Sequence, residues 1–351
     1  MKRRVAIFSV VPSPYQRDLF AALAVRPEIA LSVFYLEAAS PDSPWPEKPL
    51  ANYEHVLRGF WFSICRARVH VNWGLPSLAE YDLVIMNTLM SFTAQRLMRG
   101  ALRQIPWIFL GEKLARRGRW HARLTTPLHR ASGIAAIGSW AQRDYAERFP
   151  APLSFCLPYY CDLTPFLAQP RHPRSNEIVF LFCGQMIARK GVDLLLDAFA
   201  RLEKGRLLLV GREADLPALL APMSPSVRDR ITYAGFLPPE DLPTFFAQAD
   251  VFVLPSRYDG WGVVVNQAIG AGLPIVCSDQ VGAGHDLVDD RNGAKFRAAD
   301  VESLYAAMRR FLDSPEIIEA AGEVSRAKAA HLSPAVGASK WVDAVERVLA
   351  A

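Results

Sequence analysis

The sequence predicts an α/β protein made of two tandem units, each a parallel sheet covered by helices on both faces. At 351 residues the chain is longer than a typical single domain, and 51% of its residues are hydrophobic, which provides ample core. Short, nearly continuous apolar runs alternate with helical stretches, as in parallel sheets that are buried on both sides. The alternation is interrupted at residues 165–175, a stretch with proline and arginine, and then starts again. These observations predict two Rossmann-like domains that face each other across a cleft.

The first unit begins with a predicted strand over residues 5–11 and a helix over 17–24. After a second strand the chain enters a long stretch rich in proline and aromatic residues, which we interpret as irregular. Three further strands follow, with helical segments between them. The predicted strands of this unit cover residues 5–11, 31–36, 83–86, 107–110 and 134–137.

The second unit repeats the same alternation, with a helix predicted over residues 192–203 after its first strand. Its predicted strands cover residues 178–183, 207–210, 231–234, 251–254 and 274–277. We therefore predict three segments along the chain. They are an N-terminal domain over residues 1–165, a C-terminal domain over 166–335, and a final helix over 336–351 that packs back toward the N-terminal domain.

The distribution of charge and the cysteine content indicate the kind of partner and the cellular compartment to expect. Residues 1–165 carry 20 basic and 12 acidic side chains, a net of +8, whereas residues 166–351 carry 20 and 23, a net of −3. This asymmetry predicts an anionic partner for the first half. No apolar run reaches the about 18 to 20 residues that span a bilayer. The five cysteines form no Cys-x2-Cys pair, so we expect free thiols in a reducing cytoplasm.

The turn after the fourth strand of the second unit carries polar groups suited to a ligand. Residues 255–268 read Pro-Ser-Arg-Tyr-Asp-Gly-Trp-Gly-Val-Val-Val-Asn-Gln-Ala. Asp259 lies in the glycine-rich turn, and Gln267 lies about two turns into the predicted helix. Open α/β sheets bind ligands outside the carboxyl ends of their strands, where both groups can reach. The first amides of the helix, after Gly262, suit a phosphate.

This turn resembles the Glu-x7-Glu signature of the retaining glycosyltransferases of family four, with Asp259 and Gln267 at the two glutamate positions. In the family the first carboxylate holds hydroxyls of the donor sugar and the second holds the ribose of the nucleotide. The resemblance implies the GT-B fold, a nucleotide-diphosphate sugar as donor, retention of configuration and no metal or other cofactor. It also assigns Gly260, Trp261 and Gly262 to the donor site.

A second turn, residues 184–191, resembles the family's Gly-Arg-x4-Lys-Gly turn, whose cations grip the donor diphosphate. Lys190 matches the family lysine, Gln185 replaces the arginine, and Arg189 can supply the missing cation. We expect Lys190 and Asp259 on exposed turns, so that replacing them affects turnover and not folding. Other donor-site residues expected from the resemblance are Gly184, Arg212, Gly235 and Phe236.

The acceptor site is expected in the N-terminal domain, where the resemblance is less sharp. Tyr15 and Gln16 follow the first strand, and Glu112 follows strand 107–110, where many relatives carry a histidine. Glu112 can hold the acceptor or act as a base, and a structural salt bridge is the alternative. Arg116 completes the expected acceptor-binding set.

Residues 113–130 form the densest basic cluster, with leucines and a tryptophan between the cations. Near an anionic bilayer each cation contributes on the order of 1 kcal/mol, and inserted apolar residues would add to this. We therefore predict peripheral association with the inner face of the cytoplasmic membrane. A solvated helix or contacts with an anionic acceptor alone are the alternatives. No nucleic-acid-binding motif accompanies the charge. The cations are Lys113, Arg116, Arg117, Arg119, Arg123 and Arg130.

Together these features predict a hexosyl-type, retaining, metal-independent glycosyltransferase. It transfers a sugar from a nucleotide-diphosphate sugar to a hydroxyl of a glycan or lipid-linked acceptor, in cell-envelope polysaccharide or glycolipid biosynthesis. The expected catalytic residues are Asp259, Lys190 and Glu112. Two alternatives remain open. One is a GT-B-fold sugar-nucleotide epimerase, and the other is a non-catalytic, glycosyltransferase-like binding subunit, which would explain Gln185 and Gln267.

Overall fold

The computed structural model describes residues 2–39, 48–64, 67–114, 119–170 and 177–351. The chain divides into two compact units. The first unit comprises Met1–Cys161 and Ser333–Ala351, and the second comprises Asp162–Leu332. Among the residues in the described ranges, no helix is both long enough and apolar enough to cross a membrane.

The first unit contains a parallel sheet of seven strands and a separate antiparallel hairpin, β4–β5. The order across the sheet is β3-β2-β1-β6-β7-β8-β9. The strands are β1 (Arg3–Ser9), β2 (Ile29–Tyr35), β3 (Glu54–Val56), β4 (Arg58–Ile64), β5 (Ala67–Trp73), β6 (Leu83–Met86), β7 (Trp107–Gly111), β8 (Gly133–Ala136) and β9 (Leu153–Cys156).

Four helices of this unit follow strands of the sheet or precede them. They are α1 (Pro14–Ala24), α2 (Phe92–Arg99), α3 (Arg119–Thr125) and α4 (Ser139–Arg148). The helix α1 starts at Pro14, because proline's fixed φ and missing N–H suit the first helical position. Short 3-10 turns at Leu78–Glu80, Ala101–Arg103 and Thr126–Arg130 connect other elements.

The second unit contains a parallel sheet of six strands in the order β12-β11-β10-β13-β14-β15. Its strands are β10 (Val179–Cys183), β11 (Arg206–Val210), β12 (Ile231–Tyr233), β13 (Val251–Leu254), β14 (Ile275–Ser278) and β15 (Gly293–Phe296). Its helices are α5 (Thr164–Ala168), α6 (Val192–Ala200), α7 (Leu216–Leu220), α8 (Pro225–Arg228), α9 (Leu242–Ala247), α10 (Val264–Gly270), α11 (Gly282–Leu287), α12 (Val301–Asp313) and α13 (Ile317–Ala329). The last helix, α14 (Pro334–Ala350), belongs to the first unit.

The predicted α/β class with two parallel sheets is confirmed, and each of the ten predicted strands is present. The interpretation of the stretch after β2 as irregular is wrong, because the described part of it contains β3, β4 and β5. Strand β4 reads Arg-Gly-Phe-Trp-Phe-Ser-Ile, so aromatic side chains occupy both of its faces. The alternation of apolar and polar residues that reveals a strand in a sequence is therefore missing.

A buried ion pair fixes the short edge strand β3 to the sheet. Nη2 of Arg17 lies 2.6 Å from Oε2 of Glu54, and the Tyr35 hydroxyl donates to Oε1 at 2.6 Å. Burial raises the pKa of Glu54, but the hydrogen bonds from Arg17, Tyr35 and a backbone amide outweigh it, and the pKa is lowered overall. The Glu54 carboxylate is therefore charged and fully paired where β3 begins.

Candidate active site

Two turns predicted to bind the donor lie against each other in the second unit. They follow β10 and β13, which are neighbours in the sheet, so their carboxyl ends meet at one edge. The backbone N–H of Arg257 donates to the Arg189 carbonyl at 2.9 Å. In return, the Arg189 guanidinium donates to the Tyr258 carbonyl at 3.1 Å. The structure thus joins two motifs that are nearly 70 residues apart in the sequence.

Gly191 allows this close contact between the turns. Its φ of +72° lies in the left-handed region, and a Cβ placed there would lie 2.0 Å from the Pro255 carbonyl oxygen. No side chain fits at that distance, so the backbones meet only because residue 191 is glycine. The final residue of the first turn is therefore pressed against the first residue of the second.

Lys190 and Asp259 form an ion pair at the centre of the joined turns, where the Lys190 ammonium donates to Oδ2 of Asp259. The side chains are only 16% and 11% exposed. Backbone bonds hold Asp259 on both sides, from its N–H to the Gln280 carbonyl and from the Gly282 N–H to its own carbonyl. The expectation that both residues lie on exposed turns is wrong, because the packing of one turn on the other covers them.

A second ion pair, between Arg257 and Asp193, clamps the turns from the side and was not predicted from the sequence. The Arg257 guanidinium donates to both carboxylate oxygens of Asp193, at 2.7 and 2.6 Å, and also to the Ala188 carbonyl at 2.5 Å. Arg257 lowers the pKa of Asp193. This stabilisation is present above the ordinary pKa of an aspartate, about 3.9, and is lost as the pH falls through the lowered value.

The Trp261 side chain packs in the interior, beneath the turn that carries Asp259. It is fully buried, and its indole N–H donates to Oδ1 of the equally buried Asn266 at 2.9 Å. The structure therefore gives the Trp261 side chain a packing role, and the expected contact of residue 261 with the donor stays a prediction. Gly262, with φ of +89°, and Gly260 lie beside Asp259 in the same turn, and a Cβ on Gly262 would come 3.5 Å from the Asp259 carboxylate.

Gln267 lies on the first turn of α10, closer to the helix start than predicted, because the helix begins only at Val264. Its side chain is half-buried. As the fourth residue of α10, Gln267 lies at the same end of the helix as the turn that carries Asp259. The expected ribose contact of Gln267 stays a prediction.

Three glycines, Gly184, Gly211 and Gly235, follow the neighbouring strands β10, β11 and β12 and lie close together. A Cβ on Gly211, whose φ is +132°, would lie 1.9 Å from the Gly184 carbonyl oxygen, and the Gly211 N–H donates to the Gly235 carbonyl at 2.8 Å. The ends of β10, β11 and β12 therefore meet at backbone level. Around them lie the remaining residues expected to bind the donor. Gln185 and Arg212 are half-buried there, and Phe236 is 45% exposed.

The residues expected to bind the acceptor lie at the carboxyl ends of β1 and β7 in the first unit. The Tyr159 hydroxyl donates to Oε1 of Glu112 at 3.1 Å, and the ring of Tyr15 packs edge-on against Tyr159 with centroids 5.0 Å apart. Tyr159 was not predicted, since it lies 47 residues after Glu112 with no motif around it. Gln16 is buried, and its side-chain oxygen accepts from the hydroxyls of Ser9 and Ser13.

The basic cluster 113–130 is only partly described, since Arg116 and Arg117 lie outside the described residues. Lys113 is held 3.5 Å from Asp144 and lies over the Trp140 ring, 4.6 Å from its centroid. Leu128 is fully buried in the core of the unit. Leu128 therefore cannot insert into a bilayer, and the apolar part of the membrane prediction for this cluster is wrong at that position.

The described residues contain no group of three or more His, Cys, Asp or Glu side chains that could hold a metal ion. Cys183 and Cys277 are free thiols, and burial raises the pKa of each to about 12. Neither thiol is therefore a nucleophile near neutral pH. Metal independence itself stays a prediction.

Residues 177–314, which include both turns, match the family model described as Glycosyl transferases group 1. An alpha-D-kanosaminyltransferase from Streptomyces kanamyceticus is 29% identical over 160 residues, 44% of this chain and 41% of that protein. A GDP-mannose-dependent alpha-(1-6)-phosphatidylinositol monomannoside mannosyltransferase from Mycolicibacterium smegmatis is 26% identical over 226 residues, 57% of this chain and 59% of the relative. The chain thus spans about half the length of these two relatives.

Several solved structures match nearly the whole chain. Sucrose-phosphate synthase from Thermosynechococcus elongatus has a TM-score of 0.77 at 20% identity and covers 99% of this chain and 100% of its own. Anabaena HepE in complex with UDP has a TM-score of 0.75 at 17% identity, with the same coverage. At these identities the likeness shows the fold, which is GT-B. Residues 177–314 are therefore similar to the Glycosyl transferases group 1 family, within a chain that has the GT-B fold.

Proposed function

We propose that the protein is a glycosyltransferase that moves a sugar, a hexose or a close derivative, from a nucleotide-diphosphate sugar to an acceptor hydroxyl with retention of configuration. The observation that carries this proposal is the pairing of Lys190 with Asp259 where β10 and β13 end. A cation and a carboxylate held there by two interlocked turns suit a ligand with a diphosphate next to a polyol. The UDP complex of HepE, which has the same fold, supports a nucleotide donor.

Each member of the ion pair has hydrogen-bonding capacity left for the donor. The Lys190 ammonium has three N–H donors and uses one on Asp259, so the other two can bind diphosphate oxygens. Negative charge grows on the diphosphate as the bond to the sugar carbon breaks, and a fixed cation stabilises that charge. The Asp259 carboxylate accepts from sugar hydroxyls through charge-assisted hydrogen bonds, which orients the ring.

The positive charges of this site are protein side chains, and for this reason we propose that transfer needs no metal or other cofactor. Arg189 lies one residue before Lys190, and Arg212 lies two residues after β11 ends. Gln185 is an uncharged amide and cannot supply a cation for the diphosphate. Either guanidinium can supply that charge instead. Addition of a chelator is expected to leave the rate unchanged, and a rate that depends on added Mg²⁺ would contradict this.

We propose a glycan or lipid-linked acceptor, in cell-envelope polysaccharide or glycolipid synthesis, because the M. smegmatis relative is named for a phosphatidylinositol mannoside acceptor. Glu112, held by Tyr159, would orient the acceptor hydroxyl or accept its proton. Association with an anionic membrane through the cations of residues 113–130 belongs to the same proposal. Arg119, Arg123 and Arg130 are its exposed, described members.

The proposal is tested with a panel of UDP-, GDP-, ADP- and dTDP-sugars, after a thermal-shift screen against the four nucleoside diphosphates. A glycosyltransferase stabilised by one nucleotide should slowly release it from the matching sugar donor even without an acceptor. Isomerisation of the sugar without release would identify an epimerase. Neither binding nor release with any donor would support a non-catalytic subunit.

Replacing Gln267 with Glu should change donor affinity by about tenfold or less. A hydrogen bond to a charged group contributes about 1.5–3 kcal/mol and a neutral one about 0.5–1.5 kcal/mol, so the two side chains differ by roughly one power of ten. The half-buried side chain keeps its length, so the fold should tolerate the change. Isothermal titration with the preferred nucleotide measures the effect. If only the Glu variant binds nucleotide, the natural chain is not an enzyme.

Replacing Glu112 with Gln should raise the KM for the acceptor, or lower transfer, by about ten- to a hundredfold, because the residue would lose its charge next to the acceptor hydroxyl. Slow hydrolysis of the donor should be unaffected, since the donor turns lie in the other unit. The matched variant is Tyr159→Phe, which removes the bond to Glu112 and should have a smaller effect of the same kind. Equal loss of transfer and donor hydrolysis would point to a structural role instead.

A further inference from the structure

The hairpin β4–β5 presents one apolar face that nothing in the described part of the first unit covers. Side chains alternate between the two faces of a strand, and cross-strand partners share a face. Phe60 pairs with Val71 and Phe62 with Val69. These residues lie on one face, together with Ile64 and Trp73. Phe60, Phe62, Ile64 and Trp73 are 41–56% exposed.

The opposite face of the hairpin is anchored to the unit by polar contacts. The Asn72 side chain donates to the Leu36 carbonyl at 2.9 Å, and its backbone N–H donates to the Thr93 hydroxyl at 2.8 Å. Arg68 lies 3.1 Å from Glu37 and over the Trp61 ring. These largely buried contacts fix the direction in which the hairpin faces. Because these contacts hold the polar face of the hairpin against the unit, the apolar face points outward.

The hairpin exposes more large hydrophobic side chains than other elements in the described part of the chain. Of the twelve large hydrophobic side chains that are exposed in the described residues, four lie on this face, and a fifth, Trp61, lies on the opposite face of the hairpin. The rings of Phe60 and Phe62 and those of Phe60 and Trp73 lie 6.2 and 6.3 Å apart, so the aromatic surface is continuous. Contiguous exposed apolar patches mark interaction sites in natural proteins.

We propose that this face docks the first unit on the interfacial region of an anionic lipid bilayer. Tryptophan and phenylalanine are suited to that depth, where one side of the protein meets acyl chains and the other meets water. The charge of the segment favours anionic lipid, since residues 55–79 contain no acidic residue. Exposed Arg58 lies at the end of the apolar face, opposite Trp73.

A groove lies at the base of the same face, and Arg58 is the cation in its lining. It has a volume of about 350 Å³ and is lined by His55, Arg58 and Trp73, among others. The guanidinium of Arg58 can bind a phosphate there while the aromatic rings meet the acyl region. Against a second copy of the chain, the same arginine would face an identical arginine-bearing surface around a two-fold axis. Charge complementarity therefore favours the bilayer.

The position of the hairpin gives the docking a functional consequence. Strand β4 starts two residues after β3 ends, so the hairpin leaves the sheet at the edge where all seven parallel strands have their carboxyl ends. Tyr15 and Glu112 follow β1 and β7 at that same edge. A bilayer bound to the hairpin would thus lie on the side of the unit that carries the residues proposed to bind the acceptor. Docking itself does not depend on sugar transfer.

The test is sedimentation with vesicles of phosphatidylcholine, with and without phosphatidylglycerol. The natural protein should bind the anionic vesicles, and Phe60→Gln with Trp73→Gln should weaken binding by about tenfold or more. Arg58→Glu should weaken the preference for anionic lipid. The control is Val25→Gln, which replaces a residue that is 81% exposed at the far end of α1 and should leave binding unchanged.

A second measurement does not depend on the hairpin tolerating glutamine. Brominated lipids should quench the natural protein's tryptophan fluorescence, and Trp73→Phe should keep binding but lose most of that quenching. The proposal is overturned if the aromatic variants bind as well as the natural protein, or if Trp73→Phe leaves quenching unchanged. It is also overturned if sedimentation velocity reveals a dimer that the glutamine variants dissolve, because a second copy would then cover the face.

Discussion

Lys190→Ala and Asp259→Asn should each lower sugar transfer by about a hundred- to a thousandfold, the usual effect of removing one preorganised charge contact to a developing oxyanion or sugar. Each change also leaves one charge of a largely buried pair without its partner. We therefore expect a loss of about 1–3 kcal/mol in the free energy of unfolding of the second unit, less than for a fully buried pair because the turns open to water. Initial rates and thermal melting measure the two effects.

The double variant separates catalysis from stability. Lys190→Met combined with Asp259→Asn removes both charges, so part of the lost stability should return while transfer stays low. Lys328→Ala is the matched control, because Lys328 is 20% exposed and lies 2.9 Å from Asp289 in the same unit, away from the turns. It should lower stability and leave transfer intact. Normal transfer by either single variant of the pair would refute the site assignment.

Gly191→Ala should destabilise the second unit by about 3–5 kcal/mol and reduce transfer by at least about a hundredfold. The left-handed backbone alone accounts for about 1–2 kcal/mol. The added Cβ would also lie 2.0 Å from the Pro255 carbonyl oxygen, so the two turns must separate. Separation moves Lys190 away from Asp259, and a displacement of about 1 Å can lower the rate a hundredfold.

Gly235→Ala is the matched stability control for this prediction. Its φ is +81°, close to that of Gly191, but a Cβ there meets nothing within 4 Å. It should therefore lose only the 1–2 kcal/mol that comes from the backbone. Hydrogen exchange of peptides from β10 and β13 reports on the second unit separately from the first. Equal losses for the two variants would show that the contact with Pro255 contributes nothing.

The two turns expected to bind the donor are recognisable in the sequence because their chemistry is local. Strands β10 and β13 are continuous apolar runs, and glycines, Lys190 and Asp259 follow them at short range. Parallel strands carry ligand sites at their carboxyl ends, so sequence alone indicates which ends matter. The sequence does not show how closely the two turns pack against each other, and this packing sets the exposure of their side chains. The exposure expected for Lys190 and Asp259 was wrong for that reason.

The sequence by itself determined the α/β class, ten of the thirteen strands of the two parallel sheets and the positions of the two turns expected to bind the donor, because all of these depend on hydrophobic runs and turn chemistry within about ten residues. The tertiary structure alone decided which partners those residues have. The clamp of Arg257 on Asp193, the bond of Tyr159 to Glu112 and the outward face of β4–β5 join residues brought together by strand order and register. Such contacts have no signal in a single sequence, since they arise only when separate elements pack.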